Sequence, residues 1–273
     1  MTAIAYQRRM DAGRHALDTR KLPTAISSFQ EARDVCDAAG ESRQTSREVE
    51  HMLGICWRMV GEALRRNSLS IERGAIAELM KHEHGQHRYP YKGHTEAYNA
   101  FNLSDLCFKK ALQMCEEEPT TLDELLAKAG ILRDRSALYL TLKRYRDARA
   151  DALSSVDLLS TPEAPKKFAD PTNQLPQHHA ISVVFLEMTR YMWGRWQNRT
   201  ESTRRIATQY RRLLGYGNSL WALNAGMRWL YVAPAWQRPA ISAQLLKLAL
   251  FDSRVRSTRR VAEIAALTLG FWR

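Results

Sequence analysis

Glycine and proline are scarce, 13 and 9 in 273 residues. That disfavours a loop-rich β protein and excludes collagen-like and low-complexity classes. Cysteine is scarcer still: Cys36, Cys56, Cys107 and Cys115, with no C-x-x-C pair among them. Four isolated cysteines, each expected within a helix, make no secreted disulfide framework and act instead as small apolar side chains. A reducing, intracellular compartment fits them, cytoplasmic or mitochondrial. No run of about 18 consecutive apolar residues exists, so no transmembrane helix is expected. The most apolar window, Trp221 to Trp236, is interrupted by Asn224, Arg228 and Pro234. The N-terminus lacks a signal-peptide core. Its Arg8, Arg9, Arg14 and Arg20 have presequence character, but Asp11 and Asp18 interrupt the basic face and the segment continues into a helix the fold needs.

Acidic residues nearly vanish from the last third. Residues 1–174 hold 26 Lys and Arg against 25 Asp and Glu, whereas residues 175–273 hold 15 against 4. Most of the net charge of +12 therefore sits at one end of the chain. Such asymmetry points to an acidic partner: RNA, an anionic membrane surface or an acidic protein face. Catalytic signatures are missing too: there is no G-x-x-x-x-G-K, G-x-S-x-G, H-E-x-x-H or G-x-G-x-x-G. Neither an enzyme nor a cofactor is expected.

What is present is helical. Hydrophobic residues make up 45% and charged residues 26%, enough for a sizeable core. Val49, Met52, Leu53, Cys56, Met59, Val60, Ala63 and Leu64 recur at the 3.6 period and form one apolar stripe. Strict alternation over five residues and Asn-Gly or Asp-Gly hairpins are absent, so the chain reads as all-α. Boundary signals agree. Thr121 to Glu124 fits a capping box, Pro23 suits a first turn, and Gly40 suits a helix end near Ala39. Pro162, Pro165, Pro171 and Pro176 mark a linker over 161–177, where the charge shift also begins. The expected domains are a helical 1–160, a linker 161–177, and a basic, aromatic-rich helical 178–273.

A repeat pattern lies in the front part. Gly13, Ala25, Phe29 and Ala32 stand in the spacing G-x11-A-x3-F-x2-A. Tyr139, Tyr145, Ala148, Ala152 and Ser155 form a second set, and Phe101, Ser104, Phe108, Ala111, Leu112 and Met114 a third. Leu53-Gly54 followed by Trp57 suits the first helix of another unit. Over roughly residues 5–160 this resembles the tetratricopeptide repeat, a 34-residue helix-turn-helix unit. Small residues such as Ala25 and Ala148 let paired helices approach, and Phe29 and Phe108 fill the grooves. Asn67 to His94 interrupts the pattern with an insertion containing Pro90 and Gly93. The resemblance implies an α-solenoid whose concave groove binds a partner's peptide or helix. Some members clamp a C-terminal carboxylate with a Lys and an Asn on the first helix. The matching positions here hold Met10 and Arg14, so that clamp is not implied.

Two basic faces are candidate anion or RNA sites. One helix, near residues 201–215, carries Arg204, Arg205, Arg211 and Arg212; positions 204, 208, 211 and 212 share one face, and Ile206, Tyr210, Leu213 and Leu214 lie on another. Arg254, Arg256, Arg259 and Arg260 lie opposite Val261, Ile264 and Ala265. Guanidinium forks match phosphate and carboxylate geometry. The aromatics Tyr191, Trp193, Trp196, Trp221, Trp229, Tyr231, Trp236, Phe271 and Trp272 interleave with them, available for base stacking or for packing. The apolar chain end is expected to dock. His82, His84, His87 and His94 could ligate Zn²⁺ or Ni²⁺, but with Gly85 and Pro90 and no Cys the segment reads rather as a polar contact loop. His178-His179 reads as ordinary surface. The function expected is a non-enzymatic scaffold or adaptor that binds a protein partner and docks on a larger complex. The alternative is an RNA-binding peripheral subunit of a ribonucleoprotein particle.

Overall fold

The computed structural model describes residues 2–40, 42–66, 73–87, 95–160, 170, 172, 174–194, 196–253 and 258–269, and among them the regular elements are all helices. They form two compact units, Met1–Thr120 and Thr121–Arg273.

The first unit holds α1 (Thr2–Asp18), α2 (Leu22–Ala39), α3 (Arg43–Arg65), α4 (Arg73–His87) and α5 (Glu96–Gln113). Pro23 starts α2, and Gly40 ends it in the left-handed conformation at φ 59°. Ser42 caps α3 and Thr95 caps α5, each accepting from a first-turn N–H. The four cysteines divide: Cys36, Cys56 and Cys107 are buried in helices, whereas Cys115, expected within a helix, lies in the bend after α5.

Helices pair where a small residue meets a ring. A Cβ on Gly13 would lie 2.5 Å from the Phe29 ring, so only glycine admits α2 at this distance from α1. Ala25 and Ala32 are buried along the same seam. Between α3 and α5 the contact occurs twice. A Cβ on Gly54 would meet Phe108 at 2.7 Å, and one on Gly61 would meet Phe101 at 2.5 Å. As α3 advances seven residues α5 recedes by seven, so the pair is antiparallel. The Ser104 hydroxyl donates to the Gly54 carbonyl at 2.7 Å, and Ala111 is buried on the same helix.

The interruption between these partners contains a helix, α4, which packs on α2 and α5. Ile76, Met80 and Glu83 stand at helical spacing and are all fully buried. Glu83 is no accident of burial. Arg33 of α2 donates to it at 2.7 and 3.2 Å, and Gln30 at 2.7 Å. Glu50 of α3 lies 3.8 Å from Arg33 and 3.6 Å from Lys110. Burial disfavours the charge on Arg33, but the hydrogen bonds and charge of Glu83, with Glu50 behind them, outweigh it and hold the guanidinium protonated.

The second unit holds α6 (Leu122–Thr141), α7 (Tyr145–Ser160), α8 (Gln174–Trp193), α9 (Trp196–Gly215), α10 (Ser219–Val232), a 3-10 turn (Ala235–Gln237), α11 (Arg238–Phe251) and α12 (Thr258–Leu269). The capping box at Thr121 and Glu124 is formed in both directions. In the α6–α7 pair, Ser136 donates to the Ala148 carbonyl at 2.8 Å and Ser155 to the Ala129 carbonyl at 2.9 Å. Ala148 and Ala152 are fully buried, and Tyr145 is half-buried at the start of α7.

One turn recurs in three hairpins. Arg20 at φ 57°, Lys143 at φ 59° and Gly217 at φ 70° each occupy the left-handed region after a helix. Each donates its N–H three residues back, and the following residue donates five back, as in Lys21 to Ala16, Arg144 to Tyr139 and Asn218 to Leu213. Ala25, Ala148 and Ala222 then fall at one register position, all fully buried. In the α9–α10 hairpin the seam is inverted. The ring, Tyr210, is on the first helix, and the glycine, Gly226, is on the second, pressed also by Leu245.

The compact units divide elsewhere than the composition does. Helices α6 and α7, which the charge pattern groups with the front of the chain, pack with α8 in the second unit. Charge composition records surface chemistry, whereas unit boundaries follow shared cores, and Ala137, Ala152, Ile181 and Ile206 belong to one core. Within 161–177, residues 161–169, 171 and 173 lie outside the described residues, and α8 already begins at Gln174, with Asp170 accepting from the Gln174 and Leu175 N–H groups. Among the described residues no helix is long and apolar enough to cross a membrane.

Glu83→Ala would leave Arg33 buried without its main counter-charge. We expect a loss of about 3–5 kcal/mol in urea unfolding, the cost of breaking a buried pair from one side. A loss under about 1 kcal/mol would show that the pair is effectively solvated.

Candidate functional site

Helix α9 turns Ile206, Tyr210 and Leu213 into the core, while Leu214, expected with them, is exposed. Burial of that stripe sets what the other faces of the helix present. Arg204 and Arg211, two turns apart, fall on the wall of a cleft of about 670 Å³ between α8, α9 and the end of α10. Its lining includes Tyr191, Arg199, Thr203, Trp229 and Tyr231 and, among the described residues, no carboxylate. The Arg199 guanidinium lies 5.2 Å over the Tyr191 ring. Arg204 is highly exposed and pairs with Glu201 at 3.0 Å. Arg211 is exposed. Val232, Ala233 and Pro234 also line the cleft, and the 3-10 turn follows them.

The first sequence cluster is thus divided. Arg204 and Arg211 line the cleft, but Arg205 does not. It donates to Glu201 at 2.8 Å and to Glu187 at 3.3 Å. Glu187 is 1% exposed and also accepts from Arg190 at 2.6 Å. Arg205 is therefore a tie between α9 and α8. Hydrogen bonds from Arg205 and Arg204 hold the Glu201 carboxyl below its usual range. Arg212 is exposed and its charge acts on His179.

The second cluster yields less. Arg254 and Arg256 lie outside the described residues, as does the side chain of Arg259. Arg260 is half-buried and donates to the Asn224 side chain at 3.3 Å, which ties α12 to α10. Ile264 is buried beside it, whereas Ala265, expected on the same apolar face, is exposed.

The aromatics have mixed fates. Trp229 is buried and tilts against Tyr210 at 5.6 Å. Trp221 lies beneath Arg133 at 5.4 Å and edge-on to His178 at 4.5 Å. Trp193 and Trp236 are exposed. The side chain of Trp196 and residues 270–273 lie outside the described residues, so the chain end does too. Of the histidines on the insertion, His82 is exposed on α4, while the side chains of His84 and His87, and His94 itself, lie outside the described residues. Met10 is buried in the core and Arg14 is bonded to Glu48.

Two features escaped the sequence. Arg199 and Tyr191 join the cleft from positions that only the α8–α9 packing brings together. The spacing of Arg199, Arg204 and Arg211 along one helix was the available signal. The Glu83–Arg33 tie had none, because the two residues are 50 positions apart. Compared with protein-family models, curated proteins and solved structures, the chain matches none. What fold and site define is an all-α protein of antiparallel helix pairs with an arginine- and aromatic-lined cleft.

His178, expected at the surface, is half-buried against Trp221. Burial, with the charge of Arg133, lowers its pKa to about 3. The folded state therefore takes up fewer protons than the unfolded chain between about pH 6.5 and pH 3. Stability from this site is present above about pH 6.5 and is lost as pH falls through that window. We expect His178→Phe, which keeps a ring against Trp221, to reduce the fall in melting temperature between pH 7 and pH 4.5. An unchanged slope would place the acid sensitivity elsewhere.

Proposed function

We propose that the protein is a non-enzymatic adaptor. Its first unit holds a segment of a protein partner, and its basic helices dock on a larger, anionic assembly. The observation that carries this reading is the repeated hairpin. Gly13, Ala25, Phe29 and Ala32 meet along one seam. Ser136, Ala148, Ala152 and Ser155 stand at the same spacing in a hairpin with the same turn. Ser104, Phe108 and Ala111 repeat the second-helix half against Gly54. This agrees with the tetratricopeptide resemblance, in which the first helices of successive pairs line the partner groove.

In the first unit those helices are α1 and α3, bridged by Tyr6 and Arg14 to Glu48. Beyond Glu48, α3 presents His51, Ile55, Arg58 and Met59 half-exposed, a mixed surface suited to a peptide with both apolar and polar side chains. In crosslinking mass spectrometry after purification from the native source, residues of α1 and α3 should join to a protein partner. Ile55→Glu with Arg58→Gln, which keeps a donor for the Glu62 carboxylate that Arg58 meets at 2.8 Å, should abolish those crosslinks without changing the melting temperature by more than a few degrees. Crosslinks that survive the double variant would refute the groove. A second reading, an RNA-binding peripheral subunit of a ribonucleoprotein particle, is favoured by the composition of the cleft in the second unit.

A further inference from the structure

We infer that the cleft between α8, α9 and α10 binds a segment of single-stranded nucleic acid, with its arginines on phosphates and its tyrosine rings against bases. This rests on the second reading above and is independent of the groove in the first unit.

The volume comes first. About 670 Å³ lies within the range of roughly 300–1,000 Å³ typical of ligand sites, and it is ample for one nucleotide with its flanking phosphates. The charge comes next. Arg199, Arg204 and Arg211 contribute three guanidinium groups and, among the described residues, no carboxylate lines the space, although Glu201 engages Arg204 at its edge and Arg199 lies over the Tyr191 ring. In residues 175–273 the basic side chains are 14 Arg and one Lys. Simple solubility would be served by either type. Guanidinium is the one that grips phosphate with two parallel hydrogen bonds and stacks on flat rings. Arg204 and Arg211 are separated by about 10 Å along the helix axis, from the rise of 1.5 Å per residue, so they can serve two different phosphates rather than one.

The rings select among anions. Tyr191 and Tyr231 are half-exposed on the cleft wall, beside the buried Trp229. The face of an aromatic ring carries negative charge density and offers a carboxylate side chain no partner, so an acidic peptide would leave the rings unused. A nucleobase has a π face of its own and stacks on such a ring whatever its sequence. A concave cleft also suits a strand that can enter it better than a lipid surface, which is flat on this scale. The two sides of α9 thus divide the work. The side bearing Arg205 is neutralised internally by Glu187 and Glu201, and the side bearing Arg211 is directed at the cleft.

The test is fluorescence anisotropy of the full chain with labelled ten-nucleotide oligo(U) and oligo(dT), from 50 to 300 mM salt. Binding is expected to weaken steeply with salt, because neutralised phosphates release counterions. Arg204→Ala with Arg211→Ala should lower affinity at least tenfold and reduce the slope of log affinity against log salt by about 1 per arginine. Tyr231→Leu should lower affinity about tenfold with the slope unchanged, since stacking releases no ions. Tyr191→Leu serves the same purpose should Tyr231→Leu melt early. Lys247→Ala, an exposed cation on α11, should change neither. Equal affinity for both oligomers assigns the phosphate-and-base chemistry common to RNA and DNA, and tighter oligo(U) assigns RNA through its 2′-hydroxyl; either supports the site. No binding of either oligomer, arginine variants that bind like wild type, or a poly-glutamate peptide competing as well as oligo(U) would each overturn it.

Discussion

How closely two helices may approach is the constraint on which this structure depends. At three places in the first unit the distance is set by a glycine lying flat against a phenylalanine ring: Gly13 on Phe29, Gly54 on Phe108 and Gly61 on Phe101. The ring fills the volume that a side chain on the other helix would have taken, so packing stays dense although the backbones are near. Between α6 and α7, serine hydroxyls reach the facing carbonyls and hold a similar contact. In the α9–α10 hairpin ring and glycine exchange helices, which shows that the contact matters more than which helix supplies each half.

Buried carboxylates act as a second kind of fastening. Glu83 brings α4 onto α2 through Arg33 and Gln30, and Glu187 joins α8 to α9 through Arg190 and Arg205. Such pairs add little net stability over apolar packing, but breaking one partner is costly, so they hold helices in register. The consequence for surface chemistry is considerable. Residues 175–273 have only four acids, and one of them is consumed inside. Within residues 175–273 the positive charge is therefore little compensated by their own acids, and the cleft at Arg211 belongs to this stretch.

The helices were legible because their signals are local. The period of α3, the capping box at Thr121, Pro23 and Gly40 act within a few residues, and each acts as its chemistry dictates. The seam at Gly13 and Phe29 was legible because the two halves lie within one hairpin. Other parts were hidden by distance or by inversion. Helix α4 sits in a stretch whose Pro90 and Gly93 suggest a break, and its buried face is closed by a polar residue, Glu83, that no apolar pattern marks. The third hairpin was masked because Tyr210 and Gly226 exchange the usual positions. Of the five arginines on α9, periodicity placed Arg204, Arg211 and Arg212 on one face and grouped Arg205 with them by sequence alone. Only the neighbouring helix decides that Arg205 meets Glu187 while Arg211 meets the cleft.

The pairing account is tested most directly by the sign of one substitution. Alanine in place of a mid-helix glycine ordinarily stabilises by about 0.5–1 kcal/mol, from helix propensity alone. At Gly13 the account predicts the opposite: Gly13→Ala destabilises the wild-type chain in urea unfolding, and stabilises it when Phe29 is first replaced by Leu. If Gly13→Ala stabilises both backgrounds equally, the ring does not set the helix separation and the account fails.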